Sequence, residues 1–290
     1  MNEGLTFLAT APAGFEPLLI AELSALGAND PKPVRGGVRF LGSLELAYRA
    51  CLWSRTASRV LLPLFEFPVT GTEALYAGIH NFPWETHLNP DSTLSVEFSG
   101  TCPGIDHVHF GAQRVKDAIV DRFRARFGRR PGVARQRPDL QIHVLSRDGQ
   151  AIVSLDLAGD SLHRRGYRAA TVIAPLKETL AAALLLKTDW PAIAAAGGVF
   201  LDPLCGSGTL AIEAAWIAGD HAPGLLRTHW GFSGWLGHVP ALWSRLLAEA
   251  TERCRAGHSH IPPIFASDHD PSAVRAALIN ANRAGMADRM

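Results

Sequence analysis

At 290 residues, 47% hydrophobic and 19% charged, the chain is long enough for about two globular domains, and its composition excludes a disordered protein. Its longest apolar runs, 180–186 and 192–201, fall far short of the ~20 residues of a membrane span, and no basic region precedes an apolar stretch at the N-terminus. Cys51, Cys102, Cys205 and Cys254 lie far apart with no CxxC pair, which suggests neither a disulfide framework nor a zinc site and fits a reducing cytoplasm.

The first third alternates short elements. A strand at 5–12, an amphipathic helix at 15–28 stopped by Gly27, and a strand with a glycine kink at 34–42 are expected. A helix follows at 43–55 with Ser43 as its N-cap, then a strand at 58–69, a rhythm that suggests a small α+β sandwich. A helix at 72–82, a half-buried strand at 92–100 and a helix at 111–128 with Val115, Ile119 and Phe123 on one face continue the pattern. The run 140–159 reads as a hairpin, two alternating segments around Asp148-Gly149. A polar, irregular linker spans 160–175, and from 175 onward long Ala/Leu helices and short apolar strands indicate a parallel α/β domain.

The net charge of +1 hides an uneven distribution. From Arg114 to Arg168 there are 13 Lys/Arg against 6 Asp/Glu, the footprint of a polyanion-binding surface unless it is only a solvated face. Arg114, Lys116, Arg122, Arg124, Arg126, Arg129, Arg130, Arg135 and Arg137 are the candidate RNA contacts, and His163, Arg164, Arg165 and Arg168 could continue that surface. His107 and His109, two apart, do not make a metal site, and Cys205 reads as a small packing side chain rather than a nucleophile. Trp230, Phe232 and Trp235 could stack on a base, although packing of their segment onto the domain is the stronger expectation.

The segment "FLDPLCGSGTLAIEAA" (200–215) places Gly206-Ser207-Gly208 between an apolar strand and a helix. Such a turn aims backbone N–H groups at a ligand, and glycines allow close approach. Asp202 ends that strand, and Asp268 ends a second strand before the helix in 265–285. A nicotinamide fingerprint wants its acid about 20 residues past the turn, whereas here it lies 62 on. An acid beside the turn also suits a cationic methyl donor better than a pyrophosphate.

With "SDHDPSAVRAALINANRAG" and "IAPLKETLAAALLL", this turn resembles the first motifs of Rossmann-like methyltransferases that carry a THUMP domain. "GGVRFLG", "LWSRTASRVLLPL", "FGAQRVKDAIVDRF", "LDLAGDSLHRRGYR" and "APGLLRTHWGFSGW" extend the resemblance over the whole chain, to the bacterial 23S rRNA guanine-N2 methyltransferases. It implies an α/β chain with a ferredoxin-like domain at 1–60, a THUMP RNA-binding domain at 45–155 sharing elements with it, and a Rossmann-like methyltransferase domain at 165–290. It further implies S-adenosylmethionine as cofactor, 23S rRNA or its large-subunit precursor as partner, and a role for Asp202, Gly206, Ser207, Gly208, Thr209 and Asp268 in holding the cofactor. Pro175, Lys177 and Thr179 would lie near its methionine end.

The family's later Asn-Pro-Pro-Tyr-like motif is absent between 265 and Met290, and Pro262-Pro263 precedes the second strand. The methyltransferase domain is therefore expected to be C-terminally incomplete and these 290 residues alone inactive, with no catalytic residue and no metal ligand assigned. A non-catalytic RNA-binding THUMP module and a tRNA guanine-N2 methyltransferase are the alternatives.

Overall fold

Alternation in the first strand sets the polarity of a large sheet. In a computed structural model, which describes residues 4–105 and 107–290, β1 (Leu5–Thr10) buries Phe7 and Ala9 and turns Thr6, Leu8 and Thr10 to the opposite face. Helix α1 (Glu16–Ala25) covers the buried face with Leu19 and Leu23. Strands β2 (Asn29–Val34) and β3 (Gly37–Gly42) form a hairpin. Helix α2 (Leu44–Trp53) starts where Ser43 accepts a hydrogen bond from the Leu46 N–H at 3.3 Å, and β4 (Arg59–Pro68) follows. Because β1 pairs antiparallel with both β3 and β4, this βαββαβ unit is ferredoxin-like.

The next unit adds α3 (Thr72–Asn81), β5 (Thr93–Gly100), α4 (Val108–Phe127), β6 (Gly132–Val133), β7 (Leu140–Arg147) and β8 (Gln150–Asp156). Strand β8 pairs antiparallel with β4, so both units share one eight-stranded sheet ordered β2-β3-β1-β4-β8-β7-β5-β6. The β7–β8 hairpin turns through Asp148 and Gly149, with φ of 53° and 75°, as its Asp-Gly pair requires. Val115, Ala118, Ile119 and Phe123 form the buried stripe of α4.

Both sheet edges escaped the sequence reading. β2 contains Pro31 and Pro33 and buries nothing fully, so it carries no alternation, while β6 is only two residues long. Prolines and short length are also what protect an exposed edge from further pairing.

Beyond the irregular linker come α5 (Glu178–Lys187), α6 (Trp190–Ala195), β9 (Phe200–Asp202), α7 (Thr209–Ala218), α8 (Pro240–Gly257), β10 (Ile264–Ala266) and α9 (Pro271–Arg283). Strands β9 and β10 run parallel, with Ala266 opposite Asp202. A second core forms around Trp216, Trp190, Tyr167 and Met286. Among the described residues no helix is long and apolar enough to cross a membrane.

The segment between α7 and β10 packs back onto the first core. Trp230 and Phe232 are buried with Tyr48 and Trp243, and the Tyr48 hydroxyl lies 2.7 Å from His238 Nδ1. The Gly231 and Gly234 N–H groups donate to the Leu157 and Asp139 carbonyls at 3.1 Å. Arg49 holds Glu249 of α8 through two bonds of 2.7 Å, and the Trp235 indole N–H donates to His87 Nδ1 at 2.9 Å. These aromatics are packing groups, so the alternative of base stacking on Trp230 and Phe232 is not open to them. Truncating Trp230 to Ala should cost about 3–5 kcal/mol; a guanidinium unfolding midpoint unchanged from wild type would show that the insertion is not part of the first core.

Candidate cofactor site and basic surface

The glycine turn lies where two parallel strands end side by side. The pairing continues past β9 and β10, with the Ser267 N–H donating to the Asp202 carbonyl and the Cys205 N–H to the Ser267 carbonyl, both at 2.9 Å. This brings Asp202 and Asp268 to the same end of the sheet. The Gly206 N–H donates to Asp268 Oδ2 at 2.9 Å, and the Asp270 N–H donates to Oδ1 at 3.0 Å. Asp270 in turn caps α9 by accepting from the Ser272 N–H at 2.8 Å, with Pro271 next in the chain.

The two acids differ electrostatically. Hydrogen bonds from the Asp270 and Gly206 N–H groups hold the Asp268 carboxyl below its ordinary range, so it stays ionised and keeps lone pairs for further donors. Burial pushes Asp202 upward, its bond from the Leu204 N–H opposes that, and the charge on Asp268 adds to the rise. Among the described residues neither acid is paired with lysine or arginine; only the exposed His269 approaches Asp268, at 3.2 Å. A cation or a pair of hydroxyl donors suits this site, and a pyrophosphate does not.

The glycines have separate duties. Gly208, at φ 81°, faces α9: a Cβ there would lie 3.1 Å from the Ala277 Cβ. Gly206, at φ 53°, has open space on that side, with only Val172 at 3.9 Å. Gly206 is thus open on its Cα side, and Gly208 is the helix-packing position.

Ser207 and Thr209 are buried, and their hydroxyls point into the protein rather than to the ligand side. Arg168 donates to Ser207 Oγ at 2.8 Å and Thr209 Oγ1 at 2.9 Å, and also to Glu178 at 2.8 Å and the Leu176 carbonyl at 2.9 Å. Asn280, fully buried on α9, accepts from the Ala169 and Ala170 N–H groups and donates to the Ala170 and Ser207 carbonyls, at 2.8–3.0 Å. Arg168 and Asn280 therefore lock the turn to the linker. Arg168 reads in sequence as one more basic residue; Asn280 carries a signal, being a polar side chain on the buried Ala273-Ala276-Ala277-Ala281 face of α9. Thr179 is buried in α5, while Pro175 and Lys177 are exposed and line a cavity of about 690 Å³ that 202–209 do not reach.

The basic run is partly neutralised by acids lying outside it in sequence. Arg122 forks onto Glu85 with two bonds of 2.8 Å and Arg126 reaches the same carboxylate at 2.6 Å. Arg114 pairs with Glu73 and stacks over Tyr76, Arg129 pairs with Asp91, Arg124 with Asp121, and Lys116 with Asp117. Arg130 and Arg135 are exposed with no ion pair among the described residues, and Arg137 reaches Thr228 Oγ1 at 3.2 Å. A count over 114–168 misses Glu73, Glu85 and Asp91, which α3 and the loop after it bring against α4.

The bonds from Arg122 bring the Glu85 carboxyl down to about 2. Since the folded value lies below the unfolded one, the stabilisation is present above the ordinary 4.5 and lost as pH falls towards 2. Glu85→Gln should therefore lower the melting temperature at neutral pH and flatten its decline under acid; a decline as steep as in wild type would remove Glu85 from the acid response.

Comparison with known proteins places the chain among methyltransferases. The RlmL ferredoxin-like domain model matches 6–61, the THUMP domain model 69–156, and the RMKL-like methyltransferase domain model 165–290. The ribosomal RNA large subunit methyltransferases K/L of Syntrophotalea carbinolica and Pseudomonas aeruginosa are each 52% identical, over 99% and 96% of this chain, and the chain spans 40% and 39% of their lengths. Among solved structures, a predicted N6-adenine-specific DNA methylase from Listeria monocytogenes is 33% identical with a TM-score of 0.83, covering 99% of this chain and 73% of that one. SMU.472, a putative methyltransferase complexed with SAH, is also 33% identical at TM-score 0.83, covering 100% and 74%. The chain belongs to the RMKL-like methyltransferase family.

Proposed function

We propose that these 290 residues are the cofactor-binding and RNA-binding part of an S-adenosylmethionine-dependent enzyme that methylates the exocyclic N2 of a guanine in 23S rRNA, in the bacterial cytoplasm. The observation that carries the reading is the pair Asp202 and Asp268 flanking Gly206, whose Cα side is open and whose N–H fixes Asp268. Asp268, ionised and with lone pairs remaining, suits a ribose diol; the two carboxylates, neither paired with lysine or arginine among the described residues, suit a sulfonium and an ammonium. The names of the relatives favour large-subunit rRNA over tRNA as the acceptor. When bound, the cofactor supplies an electrophilic methyl group; the residues found here bind and orient it.

Guanine N2 is a weak nucleophile, and its methylation needs acceptors that draw the amine hydrogens out of the ring plane beside the methyl donor. Residues 1–290 contain no Asn-Pro-Pro-Tyr stretch to do this. The 290 residues alone should therefore bind S-adenosylmethionine without transferring its methyl group, which is how the reading of a non-catalytic RNA-binding module also enters.

Calorimetry with S-adenosylmethionine and its demethylated product separates the readings. The wild-type chain should bind both, and Asp268→Ala should weaken binding at least tenfold, since it removes the charged acceptor proposed for the ribose hydroxyls. Affinity equal to wild type would take Asp268 out of the site. Methyl transfer from the labelled cofactor to 23S rRNA by the unaltered 290-residue chain would overturn the division of labour proposed here.

A further inference from the structure

The cavity of about 690 Å³ beside the linker is lined by Arg164, Arg168, Lys177, Arg227, His229 and Arg283. Arg137 and Arg165 also border it, against only two acids, Asp160 and Glu178. Both acids are engaged: Glu178 accepts from Arg168 at 2.8 Å and Asp160 lies 3.5 Å from Arg164. Lys177 and Arg283 are exposed and have no ion-pair partner among the described residues.

Its wall also holds buried polar atoms without partners. Arg227 donates to the carbonyls of Ser161, Arg164, Ala158 and Asp160 and lies over the Trp230 ring, yet among the described residues its Nε has no hydrogen-bond partner, and neither has His229 Nε2. Both atoms are enclosed, so it is the exposed cations of the lining, rather than these atoms, that suit an oxygen-rich anionic ligand. No Phe, Tyr or Trp side chain lines the cavity, which favours backbone over a stacked base.

Position agrees with chemistry. Arg137, on one side, ends the basic run 121–138, while Leu176 and Glu178, on the other, hold Arg168, which clamps Ser207 and Thr209 of the cofactor turn. We propose that this cavity seats the sugar–phosphate backbone of the RNA strand on its way from the basic run to the cofactor turn, with Arg164, Lys177 and Arg283 meeting phosphodiester oxygens. The inference rests on the RNA-methyltransferase reading and deepens it by naming where the strand is held.

The test uses the full 290-residue chain and a fluorescein-labelled single-stranded RNA decamer with one central guanosine, followed by anisotropy across a salt series. Arg164→Glu with Arg283→Glu, both on exposed side chains, should lower affinity at least tenfold at about 100 mM salt and flatten the log–log salt dependence by about 1.4, roughly 0.7 for each lost phosphate contact. A decamer with uncharged methylphosphonate linkages on both sides of the guanosine should bind wild type as weakly as the native decamer binds the variant, with no further loss on the variant. Circular dichroism melting of the variant checks its fold, and should it melt early, the methylphosphonate arm on wild type decides alone. Wild-type binding with less than a twofold change in either arm overturns the cavity assignment and leaves the RNA reading standing. Displacement of the decamer by about 10 mM inorganic phosphate at constant ionic strength would assign the cavity to free phosphate instead. A wild-type chain that binds no RNA overturns the RNA reading itself, and the cavity assignment with it.

Discussion

Glu213 is a fully buried carboxylate on α7, the helix that begins at the glycine turn, and the relation between the two halves of the molecule depends on it. Its Oε1 accepts from the Tyr167 hydroxyl at 3.3 Å and lies 3.5 Å from Arg165 Nε, itself buried. Burial pushes the Glu213 carboxyl upward and the charges of Arg165 and Arg55 oppose the rise. Those arginines also stitch backbone to backbone: Arg165 donates to the Arg55 and Leu162 carbonyls, and Arg55 to the His221 and Trp216 carbonyls. Glu22 of α1 completes the joint by accepting from Ser54, Arg55 and Thr56.

A buried ion pair of this kind is weak evidence for stability, since desolvation offsets most of the attraction, but removing one partner commonly costs about 3–5 kcal/mol. Its consequence is geometric. α7 cannot move relative to the first domain without stranding a charge, and the turn that opens α7 moves with it. Arg168 and Asn280 carry that rigidity into the turn, because their partners include Ser207, Thr209 and the linker backbone at 169–170. The insertion with Trp230, Phe232 and α8 packs on the first core and reinforces the same arrangement.

What the sequence discloses follows periodicity and local chemistry. The β7–β8 hairpin is legible because Asp148 and Gly149 adopt positive φ and alternation is strict along β7. The glycine turn and its two acids are legible because the strand-to-helix pattern is local. β2 is hidden by Pro31 and Pro33, and α8 by an insertion read only for its aromatics. Arg168, Asn280 and Glu213 are illegible as a set because their partners lie on other segments, up to 111 residues away. The basic run misleads for the same reason, since Glu85 lies 37 residues before the Arg122 it neutralises.

The two proposed binding regions carry opposite charge, with Arg168 between them. On the turn side, Asp268 is ionised and neither it nor Asp202 meets lysine or arginine among the described residues. On the linker side, arginine and lysine dominate and the two acids are engaged. Arg168 stands between them, its guanidinium spread over Glu178, Ser207, Thr209 and a carbonyl, so it adds no free cation to either side. A cationic cofactor and a polyanionic substrate attract each other in solution. With the acids gathered at the ends of β9 and β10 and the cations gathered along the linker, each ligand of the proposed reaction would be drawn to its own surface and repelled from the other. The joint at Glu213 holds those surfaces in fixed relation, so the order imposed on the cofactor turn is the order in which the RNA would meet it.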